Sequence, residues 1–149
     1  MRIAIGSDHA GYDLKLMVRN YLMSYGCEVV DMGCDSEVSC DYPTFAHEVC
    51  SMILKNEAEL GVLVCGTGIG MSMSANRYVG IRAALCANEY HARMSRAHNN
   101  SNVLCLGSRV IGSELALSIL KAWLETEFEG GRHMRRVNLI DELSEQTAQ

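Results

Sequence analysis

Short apolar runs alternate with longer amphipathic segments along most of the chain. Short runs of this kind are typical of buried strands, whereas apolar residues spaced three and four positions apart are typical of helices. Strands that alternate with helices predict right-handed crossovers and a parallel sheet covered on both faces. The predicted strands are RIAIG (2–6), CEVVDMG (27–33), GVLVC (61–65), GIRAALC (80–86) and NVLCLG (102–107). The pattern therefore predicts a three-layer α/β/α, Rossmann-like fold with a five-stranded parallel sheet.

The predicted helices carry recognisable start and stop signals. The first, residues 11–26, has apolar residues at helical spacing, and Gly26 stands where a left-handed residue ends many helices. Pro43 suits the first turn of a second helix, because it has no amide hydrogen to lose there. After the glycine pair at 130–131, a last amphipathic segment predicts a C-terminal helix that docks on the sheet or on a partner chain. Its apolar face consists of Val137, Ile140 and Leu143.

Length and composition limit the class of protein. The chain has 149 residues, enough to bury a core without disulfides or metal, and we expect a single domain, residues 1–149. A formal net charge of −5 gives no positive field for nucleic acid. No apolar run approaches the ~18 residues that a membrane-spanning helix needs, and the first residues do not resemble a secretory signal. Seven cysteines, an odd number without a CxxC pair, indicate reduced thiols. We therefore expect a cytoplasmic protein.

The most informative chemistry follows the third predicted strand. Cys65 stands where the apolar run stops, and the glycine-rich segment GTGIG (66–70) leads directly into a helix. Alternate glycines let successive amides point into one concavity, which suits an anion or a developing oxyanion. Those amides and the helix start would also stabilise a thiolate at Cys65. We therefore expect Cys65 to act as a base or a nucleophile, although packing in the core is the alternative for a buried cysteine.

Two common phosphate-binding motifs fit this chain poorly. A P-loop requires a lysine after its glycines, and no lysine occurs between Lys55 and Lys121. The dinucleotide fingerprint requires GxGxxG after the first strand, where this chain reads GSDHAG (6–11). Asp31 alone matches the acidic residue that binds ribose in such folds. A flavodoxin-like module that binds a nucleotide or flavin remains an alternative.

Histidine and arginine complete the set of candidate residues. His98, at the end of a helical pattern, is a candidate general acid or base near neutral pH, or a solvated helix-end residue. Arg132 and Arg136 are four positions apart, hence on one helical face, where two guanidinium groups can hold a phosphate. Arg109, in the turn after the fifth strand, would add to them. These residues indicate a small phosphorylated ligand.

A thiolate base, an oxyanion cradle, a histidine and a phosphate clamp suit one reaction particularly well. Moving a proton between adjacent carbons of a sugar phosphate needs a base for the C–H bond, donors for the enediolate and an acid that opens the sugar ring. Acyl transfer with Cys65 as nucleophile needs similar residue types and remains open.

Motifs along nearly the whole chain resemble the type B ribose-5-phosphate isomerases and their relatives that isomerise allose 6-phosphate and galactose 6-phosphate. The motifs, in order, are IGSDHAG (5–11), DYP (41–43), CGTGIG (65–70), SANR (74–77), GIRAA (80–84), SRAHNNSNVL (95–104), GSRVIG (107–112) and EGGRH (129–133). The resemblance implies interconversion of ribose 5-phosphate and ribulose 5-phosphate through a cis-enediolate, in the non-oxidative branch of the pentose phosphate pathway. It also implies that no metal or organic cofactor takes part. An allose- or galactose-6-phosphate isomerase is the alternative.

The resemblance assigns a role to each candidate residue. Cys65 would shuttle the proton, and His98 would assist ring opening. Thr67 would hold the enediolate together with the loop amides, which belong to Gly66, Thr67, Gly68, Ile69 and Gly70. Ligands of the sugar hydroxyls would be Asp8, His9 and Asn99, and ligands of the phosphate would be Arg109, Arg132 and Arg136.

The family further implies a homodimer, which can pair into tetramers, with each site at the subunit interface. One branch replaces the cysteine with a glutamate directly after the last loop glycine. Here that position is Met71 and Cys65 is present, so the chain resembles the cysteine branch. The other six cysteines receive no catalytic role.

Overall fold

The computed structural model describes residues 1–147, so the last two residues of the predicted domain, 148 and 149, lie outside the described part. The strands form one parallel sheet in the order β2-β1-β3-β5-β4. They are β1 (Arg2–Ser7), β2 (Glu28–Asp31), β3 (Leu60–Cys65), β4 (Ala83–Leu85) and β5 (Val103–Gly107). The helices are α1 (Tyr12–Ser24), α2 (Tyr42–Leu54), α3 (Ile69–Ala75), α4 (Glu89–Ala97), α5 (Ser113–Leu124) and α6 (Arg132–Thr147). The predicted α/β fold with a five-stranded parallel sheet is confirmed.

Each face of the sheet has its own apolar core. Helices α1, α4 and α5 cover one face, and their buried residues include Leu14, Ala92 and Trp123. Helices α2 and α3 cover the other face, with Val49 and Met71 in its core. Within α1 the buried apolar positions recur at every fourth residue, so a single stripe of the helix faces the sheet. The three-layer arrangement therefore follows from the amphipathic pattern of the helices.

The strand order reverses between β1 and β3, which are neighbours in the sheet although β2 lies between them in sequence. Ser7 is level with Val64, and Cys65 is level with Gly107 at the end of β5. The carboxyl ends of three strands therefore lie together at one end of the sheet. This end of the strands, not an outer strand, is called the carboxyl edge below. Ligands of open parallel sheets bind at such a reversal point.

The predicted fourth strand is shorter than expected. Only Ala83–Leu85 pair with β5, whereas Gly80 ends a turn and residues 81–82 have no regular secondary structure. Gly80 has a φ of +86°, in the left-handed region. The side chain of Asn102 satisfies this turn, because its Oδ1 accepts from Arg82 N at 2.8 Å and its Nδ2 donates to Gly80 O at 2.8 Å.

A buried ion pair connects α1 to the carboxyl end of β2. Lys15 is 1% exposed, and its Nζ donates to Asp31 Oδ1 at 2.6 Å and to Cys34 O at 2.7 Å. Arg19 lies 3.6 Å from the other carboxylate oxygen. Asp31 is therefore already paired with two cationic side chains, which weakens the alternative in which it binds a ribose.

Within residues 1–147, no helix has both the length and the apolar character that a membrane crossing requires.

Candidate active site

Cys65 ends β3 at the carboxyl edge and is 4% exposed. Its Sγ accepts a hydrogen bond of 3.1 Å from the amide of Gly68. Gly68 has a φ of +76°, and a Cβ built there would lie 2.5 Å from Cδ1 of Leu85. Only glycine fits this position, and its conformation turns the loop back over the sulfur. The geometry places an amide donor on the Cys65 side chain, as the glycine pattern predicts.

The turn after β5 holds the glycine loop in place. The carbonyl of Cys65 accepts from Ser108 N at 2.9 Å, and the carbonyl of Gly66 accepts from Arg109 N at 2.9 Å. Ser108 Oγ also donates to Ala10 O at 2.7 Å and lies 3.2 Å from Cys65 O. Ser108 therefore ties together the turns that follow β1, β3 and β5. The sequence places Ser108 at a strand end, but a lone serine there carries no signal of this role.

Two large side chains flank the loop. A Cβ built on Gly66 would lie 3.5 Å from Nη1 of Arg109, so that guanidinium group lies over the start of the loop. A Cβ built on Gly70 would lie 2.8 Å from Cζ of Tyr42, at the start of α2. Sequence reasoning did not select Tyr42, although it belongs to the motif DYP. The loop is therefore bordered by a cation on one side and an aromatic ring on the other.

Two of the loop amides that were predicted to bind an oxyanion already donate hydrogen bonds to side chains of the loop and of Cys65. The amide of Ile69 donates to Thr67 Oγ1 at 3.2 Å, and that of Gly68 donates to the Cys65 sulfur. Thr67 is exposed and lines a small cavity of about 190 Å³ whose other walls are largely apolar. An oxyanion would therefore have to compete with Thr67 Oγ1 for the Ile69 amide.

Asp8 and His9 follow β1 and lie at the same edge. Asp8 is 7% exposed, and its Oδ1 accepts from Gly11 N at 3.0 Å, so its side chain caps the short helical turn 9–11. His9 Nδ1 accepts from Cys40 N at 3.2 Å. A nitrogen that accepts a hydrogen bond carries no proton, so the proton of a neutral His9 is on Nε2. His9 therefore offers a donor to a ligand, and the long loop before α2 orients it.

The remaining predicted residues lie near the opposite edge of the sheet, called the amino edge. His98 follows α4 and precedes β5, whose five residues span about 13 Å at roughly 3.3 Å per residue. Cys65 is level with the last residue of that strand. Within one chain, His98 and Cys65 therefore stand at opposite ends of the sheet.

His98 belongs to a group of side chains at the amino edge. Its ring stacks on that of His133, with centroids 4.3 Å apart and planes at 8°. Its Nε2 lies 3.9 Å from Glu129 Oε2. Sequence reasoning did not select Glu129 or His133, although both lie in the motif EGGRH. Arg132, in the same motif, and Arg136, one turn further along α6, are exposed.

Asn99 is exposed and borders a cavity of about 360 Å³ between α6 and the turn before β4. The structure therefore brings together Cys65, the glycine loop, Asp8, His9 and Arg109 at the carboxyl edge. It gathers His98, Asn99, Arg132 and Arg136 near the amino edge.

Comparison with known proteins identifies the family. A sequence profile described as Ribose/Galactose Isomerase matches residues 3–140. The chain belongs to this family. It is 47% identical over 139 residues to ribose-5-phosphate isomerase B of Escherichia coli, covering 93% of each chain. The structure of ribose-5-phosphate isomerase B from Clostridium thermocellum superposes with a TM-score of 0.98, at 48% identity and 99% coverage of both chains. That from Thermotoga maritima superposes with a TM-score of 0.93, at 56% identity, covering 95% of this chain and 97% of the other.

These findings confirm the resemblance to the type B ribose-5-phosphate isomerases, and they show that the chain is an isomerase. Cys50, Cys86 and Cys105 of this isomerase are buried in the two apolar cores. Burial raises the pKa of the Cys50 thiol to about 12 and that of Cys86 to about 11, and it raises the pKa of Cys105 well above its usual range. These thiols stay protonated at neutral pH and act as small apolar side chains.

Proposed function

We propose that the isomerase interconverts ribose 5-phosphate and ribulose 5-phosphate in the non-oxidative branch of the pentose phosphate pathway, in the cytoplasm. The observation that carries the proposal is the Cys65 sulfur, which lies under the glycine loop at the reversal point of the sheet and accepts the Gly68 amide. The names of the E. coli, C. thermocellum and T. maritima proteins support the choice of substrate. Residues 1–149 would form one sugar-phosphate isomerase domain.

In the proposed mechanism, the Cys65 thiolate removes the proton from C2 of the open-chain aldose. The electron pair of the broken C–H bond forms the C1–C2 double bond, and negative charge moves to O1. Loop amides and the Thr67 hydroxyl stabilise this cis-enediolate. Cys65 then returns the proton to C1, while the proton of the C2 hydroxyl moves to O1 and C2 becomes the carbonyl. No redox partner is needed, because the hydrogen removed from one carbon is delivered to its neighbour.

The residues that open the ring and grip the phosphate would come from two chains. His98 and Asn99 precede β5, at the end of the sheet opposite Cys65. Arg132 and Arg136 lie near His133, whose ring stacks on His98. We therefore propose a homodimer in which the amino edge of one chain faces the carboxyl edge of the other. Exposed apolar side chains near the glycine loop support an interface there. They are Ile69, Met73, Leu85 and Val110.

The direct test is conversion of ribose 5-phosphate by the purified protein in EDTA, with allose 6-phosphate and galactose 6-phosphate assayed beside it. We expect turnover of the pentose phosphate to exceed that of either hexose phosphate. Turnover of a hexose phosphate alone would be consistent with the proposed mechanism but would contradict the proposed substrate. Loss of activity in EDTA that added metal restores would refute a mechanism without metal.

A further inference from the structure

Arg96 lies in the last turn of α4, within the motif SRAHNNSNVL (95–104), and the proposed mechanism gives it no role. It is partly buried, and its Nη1 donates a hydrogen bond of 2.5 Å to the carbonyl of Ser101. His98 and Asn99, the two candidate residues of this turn, lie between Arg96 and Ser101 along the chain. The Arg96 side chain therefore spans the turn and connects its two ends.

The same guanidinium group contacts the end of α5 and the segment that follows it. Its Nε donates to the carbonyl of Thr126 at 3.4 Å, and its Cζ lies 5.2 Å from the ring centroid of Trp123, which is fully buried. A planar guanidinium can cover an aromatic ring while its edge donates to two carbonyls, whereas the ammonium of a lysine cannot do both. The contacts of Arg96 therefore depend on the shape of its side chain as well as on its charge.

The turn that carries His98 contains a residue in an uncommon conformation. Asn100 has a φ of +47°, in the left-handed region, which residues other than glycine keep only where the surrounding structure supports it. Its amide donates to the carbonyl of Arg96 at 3.1 Å, and its carbonyl accepts from Arg82 Nε at 3.0 Å. On the buried side, Trp123 Nε1 donates to Ser101 Oγ at 2.7 Å. The side chain of Arg96 adds the bond that links the start of this turn to its end.

The segment that precedes α6 is attached at the same place. The amide of Glu129 donates to the carbonyl of Ala97 at 3.0 Å, next to Arg96 in the chain. Arg96 Nε binds the carbonyl of Thr126 in the same segment. Arg96 therefore contacts both parts of the amino edge that carry candidate residues, namely the turn before β5 and the segment that leads into α6.

We propose that Arg96 is a positioning residue, which holds His98 where it can assist ring opening. This inference rests on the proposed function. Ring opening breaks the C1–O4 bond of ribose 5-phosphate, whose electron pair goes to O4. O4 gains a proton, while the O1 hydroxyl loses its proton and C1 becomes the aldehyde carbon. A side chain that moves these protons has to lie within hydrogen-bond distance of the oxygens, so a shift of about 1 Å in the turn would slow this step.

The two directions of the reaction separate a positioning role from a general structural one. Ribose 5-phosphate is a closed ring that has to open, whereas ribulose 5-phosphate cannot form a five-membered ring because its O5 carries the phosphate. Turnover of ribulose 5-phosphate therefore needs the proton transfer at Cys65, and the aldehyde it produces can close in water. Arg96→Ala should lower kcat for ribose 5-phosphate by about 10-fold to 100-fold, and kcat for ribulose 5-phosphate by no more than about 3-fold.

Two further variants sharpen the comparison. Arg96→Lys retains the charge but not the planar group, so it should show most of the same unequal loss, and it supplies the test even where Arg96→Ala does not fold. Arg93→Ala changes an exposed arginine of the same helix and should keep both activities. In a His98→Gln background, Arg96→Ala should have little further effect on ribose 5-phosphate, because a positioning residue acts through the residue it positions.

Hydrogen exchange gives a readout that needs no substrate. The amides of Asn100 and Ser101 donate within the turn, to the carbonyls of Arg96 and Ser95. In Arg96→Ala these amides should exchange faster, while exchange of the amides of β3 stays unchanged and shows that the sheet is intact.

An equal loss of turnover in the two directions would indicate a general structural defect and would overturn the inference. Unchanged turnover of ribose 5-phosphate by a folded Arg96→Ala protein would also overturn it, while the proposed function would stand. The same holds if Arg96→Ala slows the His98→Gln protein by its full factor, because Arg96 would then act independently of His98. Absence of turnover by the wild type in both directions would refute the proposed function and the role of Arg96 with it.

Discussion

Different interactions fix the candidate residues at the carboxyl edge and at the amino edge of the sheet. At the carboxyl edge, the carbonyls of Cys65 and Gly66 are bound by the turn after β5, and glycine geometry closes the loop on the sulfur. At the amino edge, the candidate residues stand at helix ends and on a turn whose Gly130 and Gly131 have φ values of +65° and +54°. The chain therefore fixes the surroundings of Cys65, the proposed base, whereas Arg132 and Arg136, the proposed phosphate ligands, are exposed.

Replacing Cys65, the proposed base, should have the largest effect. Cys65→Ala should fold normally and lower kcat by about 10³-fold or more, because the proposed proton transfer then lacks the thiolate that lies under the glycine loop. Cys27→Ala, at the turn before β2, is the matched control and should keep full activity. Near-normal turnover in a folded Cys65→Ala protein would return Cys65 to the role of a core side chain.

Mixing two inactive variants tests whether the two edges belong to one site. Cys65→Ala and His98→Gln each disable one edge, so heterodimers would contain one intact site built from both chains. After random exchange of subunits, we expect about a quarter of wild-type activity, since half of the dimers carry one working site of two. Activity that stays at the level of the separate variants, with exchange verified by mass spectrometry, would contradict a site shared between chains.

The Lys15–Asp31 ion pair near the carboxyl edge should contribute more to the free energy of unfolding than the Arg82–Asp141 ion pair near the amino edge. Asp31→Asn leaves the buried Lys15 ammonium without its carboxylate and should lower the free energy of unfolding by about 2–3 kcal/mol. Asp141→Asn, whose carboxylate lies 3.7 Å from the Arg82 guanidinium and is more exposed, should cost about 1 kcal/mol or less. Urea unfolding measures both free energies of unfolding. Equal decreases in the two variants would show that the buried ion pair contributes no more to stability than the exposed one.

The smallest effect should come from replacing one of the proposed phosphate ligands at the amino edge. Arg132→Ala should raise KM for ribose 5-phosphate by about 10-fold and leave kcat within a few-fold, because one charge-assisted hydrogen bond contributes roughly 1.5 kcal/mol. Arg135→Ala is the control, since Arg135 is equally exposed on α6 but was not predicted to bind phosphate. If both variants raise KM alike, the effect is one of net charge, and the proposed clamp is wrong.

The sequence by itself determined the fold class and which residue types stand at the strand ends. Strand and helix periodicities are local, and a parallel sheet brings its carboxyl ends to one edge, so Cys65 and Asp8 could be placed near each other without coordinates. The glycine at position 68 and the cap by Asp8 are also local, since each involves residues within three positions along the chain.

Only the tertiary structure decided which candidate residues meet. Ser108 bonds to Ala10, and Lys15 to Asp31, through contacts that depend on which strands are neighbours in the sheet. The stack of His98 on His133 joins the residue that follows α4 to the first turn of α6, and no periodicity predicts it. The separation of His98 from Cys65 likewise follows from the direction in which α4 runs back along the sheet. Local sequence patterns predict the secondary structure and the chemical type of each residue, whereas packing between distant segments decides which other residues it contacts.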